Sequence, residues 1–144
     1  LPTFAHEINS VNIYGKVYNG WLMDAHSASD YLVEVWIDAT NTIDGKLIDY
    51  TSITDATIVL IKKKDLYNYF HSKDITSTAL MEVGNELRMR GDYCTYYKGF
   101  KITCQQPPIQ ERAANILIPR DTLINTISCY AAQIKDGKVI PLRK

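Results

Sequence analysis

The chain predicts an α+β fold: a mainly antiparallel β-sheet built from hairpins, with one or two helices packed on one face. Strand-like runs flank the dipeptides Asp44-Gly45, Lys98-Gly99 and Asp136-Gly137. Such pairs close antiparallel hairpins because glycine accepts the positive φ that a tight turn requires. Thr57 to Ile61 (TIVLI) is short, β-branched and uninterrupted, as a strand covered on both faces would be. The one extended helical pattern is Ser77 to Arg90, where Leu80, Val83, Gly84 and Leu87 follow i, i+3, i+4, i+7 spacing.

Val11 to Tyr18 (VNIYGKVY) reads as a first strand ended by the Asn19-Gly20 turn signal, and Trp21 to Asp30 is less regular. Tyr31 to Asp38 reads as a half-buried strand, with Leu32, Val33, Val35 and Ile37 set against Glu34, Trp36 and Asp38. After Asp44-Gly45, Lys46 to Tyr50 continues the sheet, and Asp65 to His71 fits a helical turn or a loop. Thr76 or Ser77 can cap the helix that follows, Gly91 supplies a left-handed stop, and Arg88 and Arg90 favour the negative end of its dipole. Tyr93 to Cys104 and Ala131 to Leu142 read as hairpins, and Gln105 to Gln110 as a surface connection, since Pro107-Pro108 cannot join a central ladder. Ile109, Ala113, Ile116 and Leu117 fit a short helix, while NILI fits a strand equally well.

At 144 residues, 46% hydrophobic and 22% charged, the chain fits one globular domain over residues 1–144. Sixteen basic and sixteen acidic residues cancel, so no overall field draws in nucleic acid, which would need a local patch. No apolar run approaches the ~20 residues of a membrane span. Leu1 is not an initiator methionine, which fits a processed chain whose upstream signals and compartment are open. There is no repeat period and no biased segment.

Phosphate-loop, dinucleotide, nucleophile-elbow and HExxH signatures are missing, so no catalytic residue is assigned and no cofactor is expected. His6, His26 and His71 are the only histidines, and their spacing gives no metal motif. Asp38, Asn41, Asp44, Asp49 and Asp55 lack the alternation of a calcium loop and suit turns.

Phe4-Ala5-His6, IYGKVYN at Ile13 to Asn19, His26, and VEVWIDATNTIDGKLIDY at Val33 to Tyr50 resemble the front half of the 6-pyruvoyl-tetrahydropterin synthase family, over about a third of the chain. The resemblance implies a ββααββ subunit in a closed oligomer, with zinc held by one histidine near Phe4 and two in a His-x-His before the second strand. His6 and His26 match two of those ligands. Ala28 stands in place of the third, and Val17 stands where the family's cysteine nucleophile would lie.

Tyrosine numbers ten here, and Tyr93, Tyr96, Tyr97 and Phe100 cluster beside Lys98 and Lys101. Tyrosine gives large, rigid contact area, so this hairpin is the candidate binding surface, for a protein partner or self-association ahead of nucleic acid. Lys98-Gly99-Phe100 matches the start of an RNA-recognition strand motif, but the aromatic pattern after it breaks at Lys101, Ile102 and Cys104. Cys94 and Cys104 flank Gly99 at nearly matching distances, and their register decides between a disulfide and two thiols. These readings rank a non-catalytic protein-binding or assembly module first, a pterin-synthase-like enzyme second and a single-strand nucleic-acid binder third.

Overall fold

The computed structural model describes residues 3–24, 26, 28–39, 42–43, 46–47, 53–109 and 111–143. In chain order the elements are β1 (Thr3–Val11), β2 (Val17–Asn19), β3 (Tyr31–Ala39), β4 (Thr42–Ile43), β5 (Lys46–Leu47), β6 (Ile53–Lys62), α1 (Lys63–His71), α2 (Ser77–Arg90), β7 (Cys94–Tyr97), β8 (Phe100–Cys104), β9 (Ala114–Pro119) and α3 (Arg120–Thr122). A π-helical turn (Leu123–Ile127), β10 (Tyr130–Lys135) and β11 (Lys138–Arg143) follow. Every ladder is antiparallel, as expected of an α+β fold made of hairpins. The chain gathers into two compact units: Leu1–Ala28 with Tyr67–Arg120, and Ser29–Leu66 with Asp121–Lys144.

The first unit holds a five-stranded sheet in the order β2-β1-β9-β8-β7. Its first strand begins earlier than the sequence suggests, and Val11 to Tyr18 is a hairpin rather than one strand. Asn12 causes the break: its Oδ1 accepts from the backbone N–H of Tyr14 and of Lys16, both at 3.0 Å, while Gly15 takes φ +78°. The undecided NILI segment is strand β9, paired with β1 and β8. Helix α1 starts two residues before the expected turn. Helix α2 has the expected limits, with Thr76 Oγ1 accepting from the Ala79 N–H and Gly91 at φ 72°.

One face of α2 buries Leu80, Gly84, Leu87 and Arg88. A Cβ on Gly84 would sit 3.0 Å from the Ala114 methyl, so glycine allows the helix to lie close on the sheet. Between them runs a buried polar network. Arg88 Nη2 donates to Asn9 Oδ1 at 2.7 Å, Nη1 donates to Asn85 Oδ1 at 2.9 Å, and Nε and Nη2 donate to the Arg112 carbonyl at 3.2 and 3.1 Å. All these acceptors are neutral, and burial pulls the guanidinium below its ordinary pKa.

The second unit holds a four-stranded sheet in the order β11-β10-β6-β3. Asp136 and Gly137 take φ 49° and 69°, as the expected hairpin turn requires. β6 is interior, with Thr57, Val59 and Ile61 buried and Ile58 and Leu60 half-buried, so its two faces are not equally covered as the sequence suggested. The β4 and β5 pair is described, whereas the Asp44-Gly45 turn and residues 48–50 lie outside the described residues. Among the described residues, no helix is long and apolar enough to cross a membrane.

Candidate functional site

The β7–β8 hairpin closes through Lys98 (φ 50°) and Gly99 (φ 86°), and this two-residue turn fixes its register. Tyr96 lies opposite Lys101, and Tyr97 opposite Phe100. Because strand side chains alternate between faces, the six candidate residues separate. Tyr93 and Tyr96 are 71% and 73% exposed, Lys98 and Lys101 are exposed, and Tyr97 is half-buried. Phe100 is a core residue, edge-on to Tyr69 and to Phe70 at 6.1 Å each, and is not part of any surface. In urea titrations we expect Tyr96→Ala to change stability by less than ~0.5 kcal/mol and Phe100→Leu to cost about 1.5 kcal/mol. Equal costs would put Tyr96 in the core.

The same register answers the cysteine question. Cys94 pairs with Thr103, so Cys94 and Cys104 fall on opposite sides of the hairpin. Cys94 is an exposed free thiol. Cys104 is a buried free thiol that points to the carbonyls of Gln105 and Arg112 at 3.5 and 3.8 Å, and burial pushes its pKa up. Cys129 is also free.

Beside the hairpin lies a cleft of about 520 Å³, walled by Tyr93, Cys94, Lys101, Thr103 and Asn115 and by the loop from Gln105 to Ile109. The loop is held in place: Gln106 Nε2 donates to the Asp92 carbonyl at 2.8 Å, and the Gln105 N–H donates to the Ala113 carbonyl at 3.0 Å. The lining offers an aromatic wall, one cation and several amides.

The three histidines do not converge as a described metal site. His6 is fully buried, its ring centroid 5.7 Å from that of Phe4 and 5.3 Å from that of Trp21, and burial lowers its pKa to about 4. His26 is exposed, its backbone N–H donating to Asp24 Oδ1 at 2.9 Å. His71 lines a second cleft with Met23, Tyr67, Phe70 and Ile75. Among the described residues, no group of three His, Cys, Asp or Glu side chains is placed to hold a metal ion.

Sequence reasoning missed one surface feature. The half-buried strand it expects over Tyr31 to Asp38 turns its valine side outward: Val33, Val35 and Ile37 are 63%, 42% and 53% exposed and Glu34 is 2% exposed. The ladders extend that outward face. Val33 is opposite Leu60, which is opposite Tyr130; Ile37 is opposite Ala56, then Ile134, then Val139. Four strands thus present aliphatic and tyrosine side chains together, and Lys62, opposite Tyr31, is the one ionisable lysine or acid along those ladder positions. The alternation of Val33, Val35 and Ile37 was readable in the chain, but alternation does not say which side meets solvent. No family model, no curated protein and no solved structure matches this chain.

Proposed function

We propose that this protein is a non-catalytic protein-binding or assembly module that engages its partner through the four-stranded sheet of the second unit. The inverted exposure of β3 carries the reading, with Val33 turned to solvent and Glu34 turned inward. Exposing β-branched side chains leaves apolar surface in water in the isolated chain, at a cost in free energy. A partner that covers the valines recovers that cost. Contiguous exposed apolar faces of this kind mark interaction sites in folded proteins.

The exposed Tyr93, Tyr96 and Lys101 beside their cleft support a second contact surface on the first unit, for an extended peptide. The test is site-specific cross-linking. p-Benzoylphenylalanine placed at Val33 is expected to give a discrete protein adduct, identified by mass spectrometry, that disappears when Val35→Lys is added. The same group at exposed Glu82 on α2 should give none. Adducts of equal yield at both positions, or none at Val33, would overturn the reading.

A further inference from the structure

We infer that the partner on this face is a second copy of the same chain, the two four-stranded sheets packing face to face about a two-fold axis. The inference rests on the function proposed above and names its partner. Area is the first argument. Seven side chains on the face, from Ile134 at 36% to Val33 at 63% exposed, together offer on the order of 600 Å² of accessible surface, close to the ~800 Å² per partner that a standard interface buries. The rim and the half-buried Ile58 and Leu60 add to it.

Charge is the second argument. A face whose ladder positions carry Lys62 alone has no pattern of signs with which to select a different protein. It is complementary to itself, because apolar area needs only equal apolar area, and a two-fold axis presents the same patch on both sides. The chain's sixteen basic and sixteen acidic residues leave no net repulsion between copies. Shape is the third. Two antiparallel sheets, each apolar on one side, pack at a spacing of ~10 Å with their side chains interdigitated, which would turn this open sheet into half of a sandwich.

At the β11 edge the sheet favours face packing over strand addition. The β11 edge carries Lys138, Pro141 and Arg143, which blunt strand addition, while the outward side chains of β10 and β11 belong to the same apolar face as those of β3.

Sedimentation velocity on the purified full chain, from about 1 to 100 µM, tests the inference directly. The expected result is a monomer–dimer equilibrium that Val35→Lys weakens by at least a hundredfold, with circular dichroism and thermal unfolding of the monomer retained because Val35 is already 42% exposed. Val33→Thr serves as a milder variant and should weaken the dimer about tenfold. A chain that stays monomeric across the range overturns the inference, as does a dimer indifferent to both substitutions. The cross-linking test separates the two levels. An adduct at Val33 with a different protein, and none with itself, overturns the homodimer and leaves the binding-module reading standing; no adduct at all overturns both.

Discussion

Arg88→Leu is expected to destabilise the first unit by about 3 kcal/mol or more, and Arg88→Lys by about 2 kcal/mol, in urea titrations followed by Trp21 fluorescence. Arg88 is 9% exposed, and its guanidinium donates to three neutral acceptors, Asn9 Oδ1, Asn85 Oδ1 and the Arg112 carbonyl. Leucine fills part of the space yet takes the donors from Asn9 Oδ1 and the Arg112 carbonyl, while Asn85 Oδ1 keeps Asn9 Nδ2 at 3.2 Å; an acceptor orphaned away from water costs about 1–3 kcal/mol. Lysine keeps the charge but loses the planar fork that reaches a helix residue, a strand residue and a loop carbonyl at once. The opposing effect is real, because removing a buried cation saves its desolvation. Asn9 Oδ1 and the Arg112 carbonyl, which lose three hydrogen bonds between them, decide between the two. If Arg88→Leu proves neutral or stabilising, desolvation dominates and the network does not hold the unit together. Loosening the Arg112 loop should also open the wall of the hairpin cleft, which amide exchange at Gln105 and Gln106 would register.

The second large effect is a pH dependence centred on Glu34. Burial on the inner side of β3 raises its carboxyl pKa from 4.5 to about 8. A raised pKa means that the folded chain holds a proton the unfolded chain has released. The stabilisation is therefore complete below about pH 4.5 and lost progressively as pH rises through about 8, and its span is on the order of 5 kcal/mol. Trp36 lies two residues along the same strand, so a Trp21→Phe variant leaves fluorescence that reports on this sheet. Its urea midpoint is expected to fall between pH 4.5 and 8, and Glu34→Gln should flatten the profile. His6 acts in the opposite sense in the first unit. Its pKa is lowered from 6.5 to about 4, so its contribution is present above pH 6.5 and lost as pH falls through 4. Trp21 stands beside it and reports that loss in a Trp36→Phe background. A flat wild-type profile for Trp36 would show that Glu34 is solvated.

Local chemistry was legible in the chain, and facing was not. The Lys98-Gly99 and Asp136-Gly137 turns, the Thr76 cap and the Gly91 stop all act within a few residues, so spacing and residue type suffice to find them. Asn12 shows the limit of that approach: its side chain converts a strand-like run into a turn by bonding two nearby amides, a competition that strand propensity ignores. Arg88 read only as a favourable cation near a helix end, since its acceptors come from Asn9 and Arg112, far along the chain. Which side of β3 meets solvent depends on what packs against it, and alternation is the same either way. Of the candidate site, the hairpin and its exposed Tyr93, Tyr96, Lys98 and Lys101 were legible. The core position of Phe100 followed only from the register that the turn imposes.

The interleaved connectivity of the two units shapes how the protein is made. Strand β1 is synthesised early, yet its ladder partner β9 ends at Pro119. β3 and β6 can pair once β6 is made, but β10, which completes the other side of β6, comes later still. Neither sheet can close on the ribosome until the last third of the chain appears, so the nascent protein carries two unfinished edges at once. Long-range closure of this kind is slow and leaves strands open to wrong neighbours. The hairpin of β10 and β11 is the last piece of the second sheet to be made, and that sheet is complete only with it.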